Sequence, residues 1–409
     1  MKIAISTAVY YPQINGVAVF SHNLASGLAA RGHEVIVICP SQTGKPHTKT
    51  IDGVKVYYLK SRQLKLYPDQ IHDASYGKRL FYKHGFRVSL FPGKEVDEVL
   101  AKFSPDVVHI QVSDPVGLAV SAWARKHKVP VVMTEHNQPE VLTDPIHVPK
   151  IMKKPINKAL SSYFRSRQRK SDFATMPTKQ AIDNLSFNTG KRLEVPIAAV
   201  SNGVDLKRFK PGKVSLRIYT KYGLADDMPT VLYVGRVDPE KKVGVVIEAF
   251  LKVLEKVPDA RLLIVGDGVD KARLERKYGI INNIRFLGRI SGDDLYELYK
   301  TGWVFATASE IETQGIVLIE AAASGLPLVA VDKGAVAEVC IDEENGYLCE
   351  PGSVSEIANA ITTILMDEKV RKDFAKKSLE VAKEHDFETT LDRFINIYNI
   401  VSKSESDNR

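Results

Sequence analysis

Cysteines are scarce in this sequence and long apolar runs do not occur, and both absences exclude classes of protein. The three cysteines, Cys39, Cys340 and Cys349, lack the spacing of metal ligands. An odd number of cysteines without a secretory signal is typical of a reducing compartment, and residues 1–6 (MKIAIS) predict a buried strand rather than a signal peptide. No apolar run reaches membrane-spanning length. The sequence therefore predicts a cytoplasmic protein without a transmembrane helix.

The composition is typical of a soluble globular protein, with 44% hydrophobic and 26% charged residues in a chain of 409. The formal net charge is +8, and the positive excess lies in two segments of the first half. Residues 60–94 contain eight basic and two acidic side chains, whereas residues 147–171 contain eight basic side chains and no acidic one. The second segment is a candidate for contact with an anionic partner.

Short apolar strands alternate with helical patterns along the whole chain, which predicts parallel sheets with crossover helices. The series of strands begins again after residues 201–205 (SNGVD), and residues 209–212 (FKPG) are interpreted as a hinge or linker. The predicted strands are 3–7, 34–39, 54–59, 107–111, 131–135, 173–176, 197–200, 230–234, 261–265, 284–287, 303–306 and 328–331.

We therefore predict an α/β protein with two doubly wound, parallel-sheet, Rossmann-like domains that face each other across a cleft. The predicted parts are an N-terminal domain at 1–203, a C-terminal domain at 204–386, a helix at 387–401 that packs back on the first domain, and a flexible tail at 402–409.

The most informative segment is 310–320 (EIETQGIVLIE), which joins the predicted strand 303–306 to an Ala-rich helix. Ligands bind at this edge of an open α/β sheet, and backbone N–H groups around Gly315 are expected to face an anion. Glu312 precedes the helix and Glu320 lies more than one turn inside it. Because Glu320 has apolar neighbours, its carboxylate must be paired or ligand-bound. An acid before a helix is usually only a cap, but the combination favours a sugar nucleotide.

A second candidate motif is 234–242 (VGRVDPEKK), which follows the first strand of the C-terminal half. Arg236 can bind a phosphate through two nitrogens, and Lys241 adds a second positive charge at the same edge of the sheet. Such cations stabilise a leaving diphosphate. Alone, the segment is more typical of a solvated charged turn, but beside the carboxylate pair Glu312 and Glu320 the phosphate-binding interpretation is favoured. Residues 265–268 (VGDG) lack the third glycine of a dinucleotide fingerprint and predict a tight connection.

Two weaker candidates lie in the N-terminal half. His136, in the segment 134–137 (TEHN), follows a predicted strand and is therefore placed to meet a substrate, although a lone histidine is more often structural. Gly16, in the segment 12–16 (PQING), joins the first strand to the first helix. The Asn-Gly pair permits positive φ and can bring backbone N–H groups to the site.

The segment 149–170 interleaves apolar and basic residues, which is typical of an interfacial amphipathic helix attracted to anionic lipid. Nucleic-acid binding and a plain solvated helix are the alternatives, but no nucleic-acid-binding motif accompanies the segment. The basic residues assigned to the membrane and acceptor are Lys150, Lys153, Lys154, Lys158, Arg165 and Arg169.

Together these motifs resemble those of the retaining family 4 glycosyltransferases of the GT-B fold. Segments 12–16 and 312–315 (ETQG) are most similar to those of the diacylglycerol α-glucosyltransferases and related glycolipid enzymes. The resemblance covers almost the whole chain and is carried by residues 12–18, residues 201–205, Gly235 with Arg236, Glu240 with Lys241, and the pair Glu312 and Glu320.

The resemblance implies a role for each matched position. Arg236 and Lys241 would bind the donor diphosphate and stabilise its departure. Glu320 would hold the ribose hydroxyls, Glu312 the hydroxyls of the donor sugar near the reacting carbon, and His136 would contact that sugar. The other implied donor-binding positions are Gly16, Gly235, Gly315, Ile316 and Val317.

The resemblance also implies a reaction, namely transfer of a hexose, with glucose preferred, from a nucleotide sugar to a lipid acceptor such as diacylglycerol. No cofactor and no metal are expected. The expected partners are the nucleotide-sugar donor, an anionic membrane surface and the lipid acceptor, with peripheral association at the cytoplasmic face and no nucleic acid. Two alternatives remain, the same donor chemistry on a soluble sugar or polysaccharide, and a catalytically silent nucleotide- or carbohydrate-binding adaptor.

Overall fold

The chain divides into two compact units, of which unit 1 comprises Met1–Ser201 with Thr390–Arg409 and unit 2 comprises Asn202–Thr389. The predicted boundary after residue 203 differs from this division by two residues. Most of the basic segment 60–94 lies outside the described residues. The computed structural model describes residues 1–11, 13, 15–63, 87–136, 150–191 and 193–406.

Unit 1 is built on a mostly parallel sheet in the order β10-β9-β8-β7-β1-β2-β4-β3, in which β3 alone runs antiparallel to its neighbour. Its elements are β1 Lys2–Ser6, α1 Gly16–Ala30, β2 Glu34–Pro40, β3 His47–Ile51, β4 Val54–Leu59, β5 Arg62–Gln63, β6 Arg87–Val88, α2 Gly93–Phe103, β7 Val107–Ile110, α3 Pro115–Lys126, β8 Val131–Thr134, α4 Lys150–Gln168, β9 Phe173–Met176, α5 Lys179–Thr189 and β10 Ile197–Ala199.

Helix α1 shows why the sequence folds locally in this way. The Asn15 side chain caps the helix by accepting a hydrogen bond from the Ala18 N–H at 2.9 Å. Phe20, Leu24 and Leu28 are buried at four-residue spacing, so one face of the helix packs on the sheet. The sheet is covered on both faces, which explains the apolar strands that the sequence shows.

Unit 2 has a second parallel sheet in the order β13-β12-β11-β14-β15-β16. Its elements are α6 Leu216–Tyr222, β11 Thr230–Val234, a 3₁₀ turn Pro239–Lys241, α7 Val243–Leu254, β12 Arg261–Val265, α8 Lys271–Tyr278, β13 Ile284–Gly288, α9 Asp293–Tyr299, β14 Val304–Ala306, α10 Ile316–Ala323, β15 Leu328–Val331, a 3₁₀ turn Gly334–Glu338, β16 Gly346–Cys349, α11 Val354–Met366 and α12 Glu368–Lys383.

The core of unit 2 lies on both faces of this sheet. On β11, Val231 and Tyr233 pack in one apolar cluster while Leu232 and Val234 pack in the other, as the two-residue period of a strand requires. Two Rossmann-like, parallel-sheet units are therefore present, and the predicted α/β fold class is confirmed.

The last helix, α13 Phe387–Ser406, belongs to unit 1 from residue 390 onwards. Leu391, Phe394 and Tyr398 are fully or almost fully buried. The Tyr398 hydroxyl also lies 2.7 Å from Nδ1 of His109 on β7. This helix therefore fills the core of unit 1.

The structure differs from the sequence-based prediction in several places. Strands β3, β5, β6 and β16 were not predicted, and α13 continues to Ser406, within the predicted flexible tail 402–409. Strand β3 was missed because its residues are mostly exposed and carry no apolar pattern. The interpretation of 209–212 as a linker is wrong, since Phe209 is buried in unit 2 with its ring centroid 4.7 Å from that of Tyr296. The turn of this region comes earlier, at residues 206–208, and Pro211 and Gly212 lie in an irregular stretch of unit 2.

Candidate functional site

The candidate residues of unit 2 lie on the loops that follow two neighbouring strands. Strand β11 pairs directly with β14 in parallel register, so both strands end at the same edge of the sheet. Gly235, Arg236 and Lys241 follow β11, and the segment 310–320 follows β14. The topology therefore brings the two predicted motifs to one edge, where open α/β sheets bind ligands.

A lysine and a glutamate join these two loops directly. Nζ of Lys241 lies 2.7 Å from Oε1 of Glu312 and within 3.4 Å of the Ser309 hydroxyl and the Ile311 carbonyl oxygen. The two side chains are only 16% and 15% exposed, so each charge depends on the other. The sequence assigned these residues to separate parts of a donor, whereas in the structure they form one ion pair.

Arg236 is held by acids of its own turn. Its guanidinium pairs with Asp238 and, at 2.6 Å, with Oε1 of Glu240, while 60% of the side chain stays exposed. The predicted geometry of two nitrogens facing a phosphate is thus occupied by two carboxylates. These contacts fix the guanidinium at the edge of the sheet before any anion arrives.

Helix α10 begins directly after Gly315, and its first turn has the backbone geometry of an anion-binding helix start. Gly315 adopts φ +74°, and a Cβ there would lie 2.9 Å from Cδ1 of Leu318, so glycine is needed. Gly315 stands at the cap position and offers no side chain to cap this start. The N–H groups of Ile316 and Val317 therefore stand at the positive end of the helix dipole.

Glu320 lies one turn further along α10 and is partly buried. The buried Tyr299 hydroxyl donates a hydrogen bond to its Oε2 at 2.7 Å. Burial raises the pKa of Glu320 to about 7, and the hydrogen bond from Tyr299 opposes that rise. The carboxyl group therefore changes its charge close to neutral pH.

The glycines of 265–268 (VGDG) serve backbone packing. A Cβ on Gly266 would lie 1.7 Å from the carbonyl oxygen of Gly235, so the loops after β11 and β12 touch through their backbones. The interpretation of this segment as a tight connection agrees with that contact, and the contact supports the loop that carries Arg236.

His136 lies in unit 1 at the end of β8 and is buried. Its Nε2–H donates to Oε1 of Gln111 at 2.8 Å, and its ring packs on Phe20 with centroids 5.1 Å apart. Burial lowers the pKa of His136 to about 4, so the imidazole is neutral at physiological pH. Asn137, beside it in the motif, lies outside the described residues.

The partner of His136 belongs to a buried polar network. The Gln111 amide nitrogen lies 3.2 Å from Nε2 of His109. Nε2 of His109 also lies 2.7 Å from the Thr134 hydroxyl. Burial lowers the pKa of His109 to about 3. The network orients the Gln111 amide, which in turn selects the tautomer of His136.

This network yields a first prediction. In Gln111→Glu we expect the pKa of His136 to rise by about 1–3 units, because a carboxylate then accepts from its ring and favours the imidazolium. A pH titration of the imidazole resonances by NMR measures the change. Gln42→Glu, elsewhere in unit 1, is the control and should leave His136 unchanged. An unshifted His136 in Gln111→Glu would show that Gln111 does not set its charge.

Gly16 behaves differently from the prediction. It begins α1, it is not in the left-handed region, and a Cβ there would meet no atom within 4 Å. The side chain of Asn15, not the backbone freedom of Gly16, shapes this junction. Pro12 and Ile14 lie outside the described residues.

The basic segment forms α4, but its cations divide into two groups. Arg165 and Arg169 both pair with Glu194, at 3.3 and 2.5 Å, whereas Lys154 and Lys158 are exposed. Ile151 and Met152 are exposed as well. Lys153 is partly buried, and the Lys150 side chain lies outside the described residues. No helix of the described residues is long and apolar enough to cross a bilayer.

Sequence reasoning missed several residues that shape the site. Asp238 was not singled out, and Glu240 was named only for the resemblance and not as a partner of Arg236; they stand two and four positions after Arg236, so their spacing was a usable signal. Tyr299 is 21 positions from Glu320, and Gln111 is 25 positions from His136. Only the fold brings those pairs together.

Two family models match the chain. The model for glycosyl transferases group 1 matches residues 217–381, and the model for glycosyltransferase family 4 matches residues 14–208. The chain therefore belongs to the family 4 glycosyltransferases, as the resemblance of its motifs predicted.

Curated relatives share about a quarter of their residues with this chain. It is 28% identical to the sulfoquinovosyl transferase SQD2 of Arabidopsis thaliana over 80% of this chain, and the match spans 64% of that relative. It is 28% identical to the alpha-monoglucosyldiacylglycerol synthase of Acholeplasma laidlawii over 80% of each chain. It is 25% identical to the N-acetyl-alpha-D-glucosaminyl L-malate synthase of Bacillus anthracis over the full length of both.

Solved structures show the same fold. Sucrose-phosphate synthase of Thermosynechococcus elongatus superposes with a TM-score of 0.73 at 20% identity, covering 98% of this chain and 99% of that one. HepE of Anabaena, solved with UDP and glucose, superposes with a TM-score of 0.69 at 19% identity and the same coverage. These similarities confirm the GT-B fold.

Proposed function

We propose that this glycosyltransferase moves a hexose, with glucose preferred, from a nucleotide sugar to a lipid hydroxyl such as that of diacylglycerol, with retention at the anomeric carbon. The observation that carries the proposal is the Lys241–Glu312 pair beside the uncapped start of α10. A cation, helix N–H groups and a carboxylate then meet at one sheet edge. This set suits a donor with an anionic end and a hydroxyl-rich end.

The proposed reaction breaks the bond between the anomeric carbon and the diphosphate oxygen. Arg236, Lys241 and the N–H groups of Ile316 and Val317 take up the charge that develops on the diphosphate. The acceptor oxygen attacks the same face of the sugar, and its proton passes to the leaving phosphate. Glu312 orients the sugar hydroxyls, and Glu320 holds the ribose.

The reaction is proposed to proceed without a metal. Two cations and a helix start already supply positive charge where a divalent ion would otherwise act. Turnover that is unchanged after EDTA treatment supports this part of the proposal, and turnover restored only by added Mg²⁺ or Mn²⁺ contradicts it.

The choice of a lipid acceptor rests on α4 and on the relatives. The helix presents exposed Lys154 and Lys158 together with exposed Ile151 and Met152, a combination suited to an anionic interface. The Acholeplasma relative is a monoglucosyldiacylglycerol synthase by name. Cytoplasmic location with peripheral attachment to the membrane follows from this proposal.

A second prediction tests the membrane contact. The double variant Lys154→Gln/Lys158→Gln should bind anionic vesicles more weakly by roughly fivefold per lysine, because each lysine near an anionic surface contributes about 1 kcal/mol. Flotation with phosphatidylglycerol vesicles measures the loss. The control is Lys252→Gln/Lys256→Gln, a charge-matched change of exposed lysines in unit 2. Equal loss in both variants would remove α4 as the docking helix.

A soluble acceptor is the alternative, and one relative favours it. The Bacillus anthracis enzyme, matched along its whole length, is an N-acetyl-alpha-D-glucosaminyl L-malate synthase by name. A catalytically silent adaptor is a further alternative, against which the preassembled Lys241–Glu312 pair argues.

Nucleotide release from UDP-glucose, UDP-galactose and GDP-mannose, with and without diacylglycerol in anionic vesicles, separates the three functions. Release that requires diacylglycerol is expected. Release that ignores lipid would favour a soluble acceptor, and absence of release from every donor would favour the adaptor.

A further inference from the structure

Unit 1 contains a cavity of about 190 Å³ that no step of the proposed reaction uses. A cavity of about 150 Å³ holds a molecule the size of benzene, so this one can admit a small group. Helix α3, the end of helix α4 and strands β7 and β8 line it, and it opens to solvent beside the exposed residues Arg125 and Lys170. It is lined by Ile110, Ser113, Gly117, Leu118, Ser121, Ala122, Arg125, Val131, Met133, Arg167, Lys170 and Ser171.

The lining combines cations with an apolar floor. Arg125, Arg167 and Lys170 supply three positive charges, and no carboxylate is among the lining residues. Ile110, Leu118 and Met133 supply apolar surface. Arg125 and Lys170 are exposed and Arg167 is partly buried, so solvent screens part of their mutual repulsion and an anion bound between them would relieve the rest.

The three cations have no ion-pair partner in the part of the chain that the structure describes. Arg165 and Arg169 are two positions to either side of Arg167 and both pair with Glu194. Because a helix turns about 100° per residue, Arg167 points away from Arg165, while Arg169 lies just beyond the end of α4. The end of α4 and the two residues after it thus direct Arg165 and Arg169 to Glu194, and Arg167 and Lys170 to the cavity.

Two polar atoms of the lining residues are shielded from solvent without a partner, again among the described residues. They are Nε of Arg167 and Oγ of Ser113. The Tyr163 hydroxyl donates to the Ser113 carbonyl oxygen at 3.1 Å, and the Arg167 guanidinium lies 5.2 Å from the Tyr163 ring centroid. Ser113 and Arg167 are thus held in place by Tyr163, yet Oγ of Ser113 and Nε of Arg167 still have unused hydrogen-bonding capacity.

Helix α3 forms another wall of the cavity. Gly117, Ser121 and Arg125 stand four residues apart on one face of α3, and all three line the cavity. A Cβ on Gly117 would lie 2.5 Å from the Val112 carbonyl oxygen. The nearby Asp114 does not line the cavity, and its side chain caps α3 by accepting from the Gly117 N–H.

We propose that this cavity binds a phosphate ester, with the phosphate between Arg125, Arg167 and Lys170 and a short hydrocarbon part against the apolar floor. A phospholipid headgroup and a free phosphate ester share this chemistry. The site is separate from the donor site in unit 2 and needs no donor for its occupation.

Calorimetric titration of the full chain without donor tests the site. The probes are glycerol 3-phosphate and dihexanoylphosphatidylglycerol kept below its micelle concentration. Binding of either probe is expected, with at least tenfold weaker affinity in Arg167→Gln and in Lys170→Gln. Tighter binding of the lipid would identify a headgroup site, and equal binding a site for the free ester.

Two further variants keep the test decisive. Lys126→Gln removes the same charge beside Arg125 but outside the cavity lining, so it should change affinity by less than about twofold, given screening at the surface. Ser121→Leu fills the cavity without altering charge and should abolish binding. Equal weakening by Lys126→Gln, undiminished binding in Ser121→Leu, or no binding of either probe at millimolar concentration would overturn the proposal.

Discussion

Replacing Lys241 with methionine lowers the turnover number by about 10²–10³-fold, the usual cost of removing one group that stabilises transition-state charge. The ammonium at 2.7 Å from Glu312 is the least exposed cation of the two loops, and methionine preserves its stem. Arg236→Ala is expected to act in the same direction. Initial rates of nucleotide release at saturating donor measure the effect.

The control for this prediction is Lys252→Met, an exposed lysine on α7 of the same unit. It should leave turnover within about twofold, as most surface substitutions cost under about 0.5 kcal/mol. Circular dichroism checks that Lys241→Met folds, because the change leaves a partly buried carboxylate on Glu312. A folded Lys241→Met and a folded Arg236→Ala that both keep normal turnover would contradict the assignment of the site.

Glu320 gives the second large effect, a donor affinity that falls as the pH drops. An ionised carboxylate accepts hydrogen bonds from the ribose, and such charged hydrogen bonds contribute about 1.5–3 kcal/mol. With a pKa of about 7, Glu320 is mostly protonated at about pH 6. We therefore expect KM for the donor to rise by roughly tenfold between about pH 8 and pH 6, and to be high and nearly pH-independent in Glu320→Gln.

Tyr299→Phe provides the matched variant. The Tyr299 hydroxyl donates to the carboxylate, which lowers its pKa. Without that donor the pKa rises, so the rise in KM should begin at a higher pH than in the wild type. A KM that rises at the same pH in wild type and Glu320→Gln would show that another group titrates.

The same pKa has a consequence for stability. A carboxyl whose pKa is raised from 4.5 to about 7 on folding keeps its proton in the folded state while the unfolded state loses it. Stability therefore falls as the pH rises from about 4.5 to about 7 and stays lower above that. Glu320→Gln should remove this contribution and raise the free energy of unfolding at about pH 8 by up to roughly 3 kcal/mol.

The fold follows from the sequence where apolar strands are buried on both faces. Strands 54–59, 230–234 and 261–265 have the predicted bounds, because mainly apolar residues lie between turn residues in each of them, although Lys55 of the first is exposed. Strand β3, His47–Ile51, was not predicted, since an exposed edge strand needs no apolar residues.

The candidate site was predictable as a location but not as a set of contacts. Strand–helix junctions indicated which loops carry the chemistry, and glycine at 315 indicated the helix start. Pairing of Lys241 with Glu312 depends on the adjacency of β11 and β14, which local sequence does not encode. The tyrosine beside Glu320 and the glutamine beside His136 depend on the same kind of long-range packing.

The anomeric configuration of a lipid-linked product tests the central claim most directly. Purified protein is incubated with UDP-glucose and diacylglycerol in phosphatidylglycerol vesicles, and the extracted lipid is analysed by mass spectrometry and proton NMR. We predict an α-linked hexosyl diacylglycerol that Lys241→Met does not form. A β-linked product would contradict retention, and a sugar recovered only on water-soluble molecules would contradict the lipid acceptor.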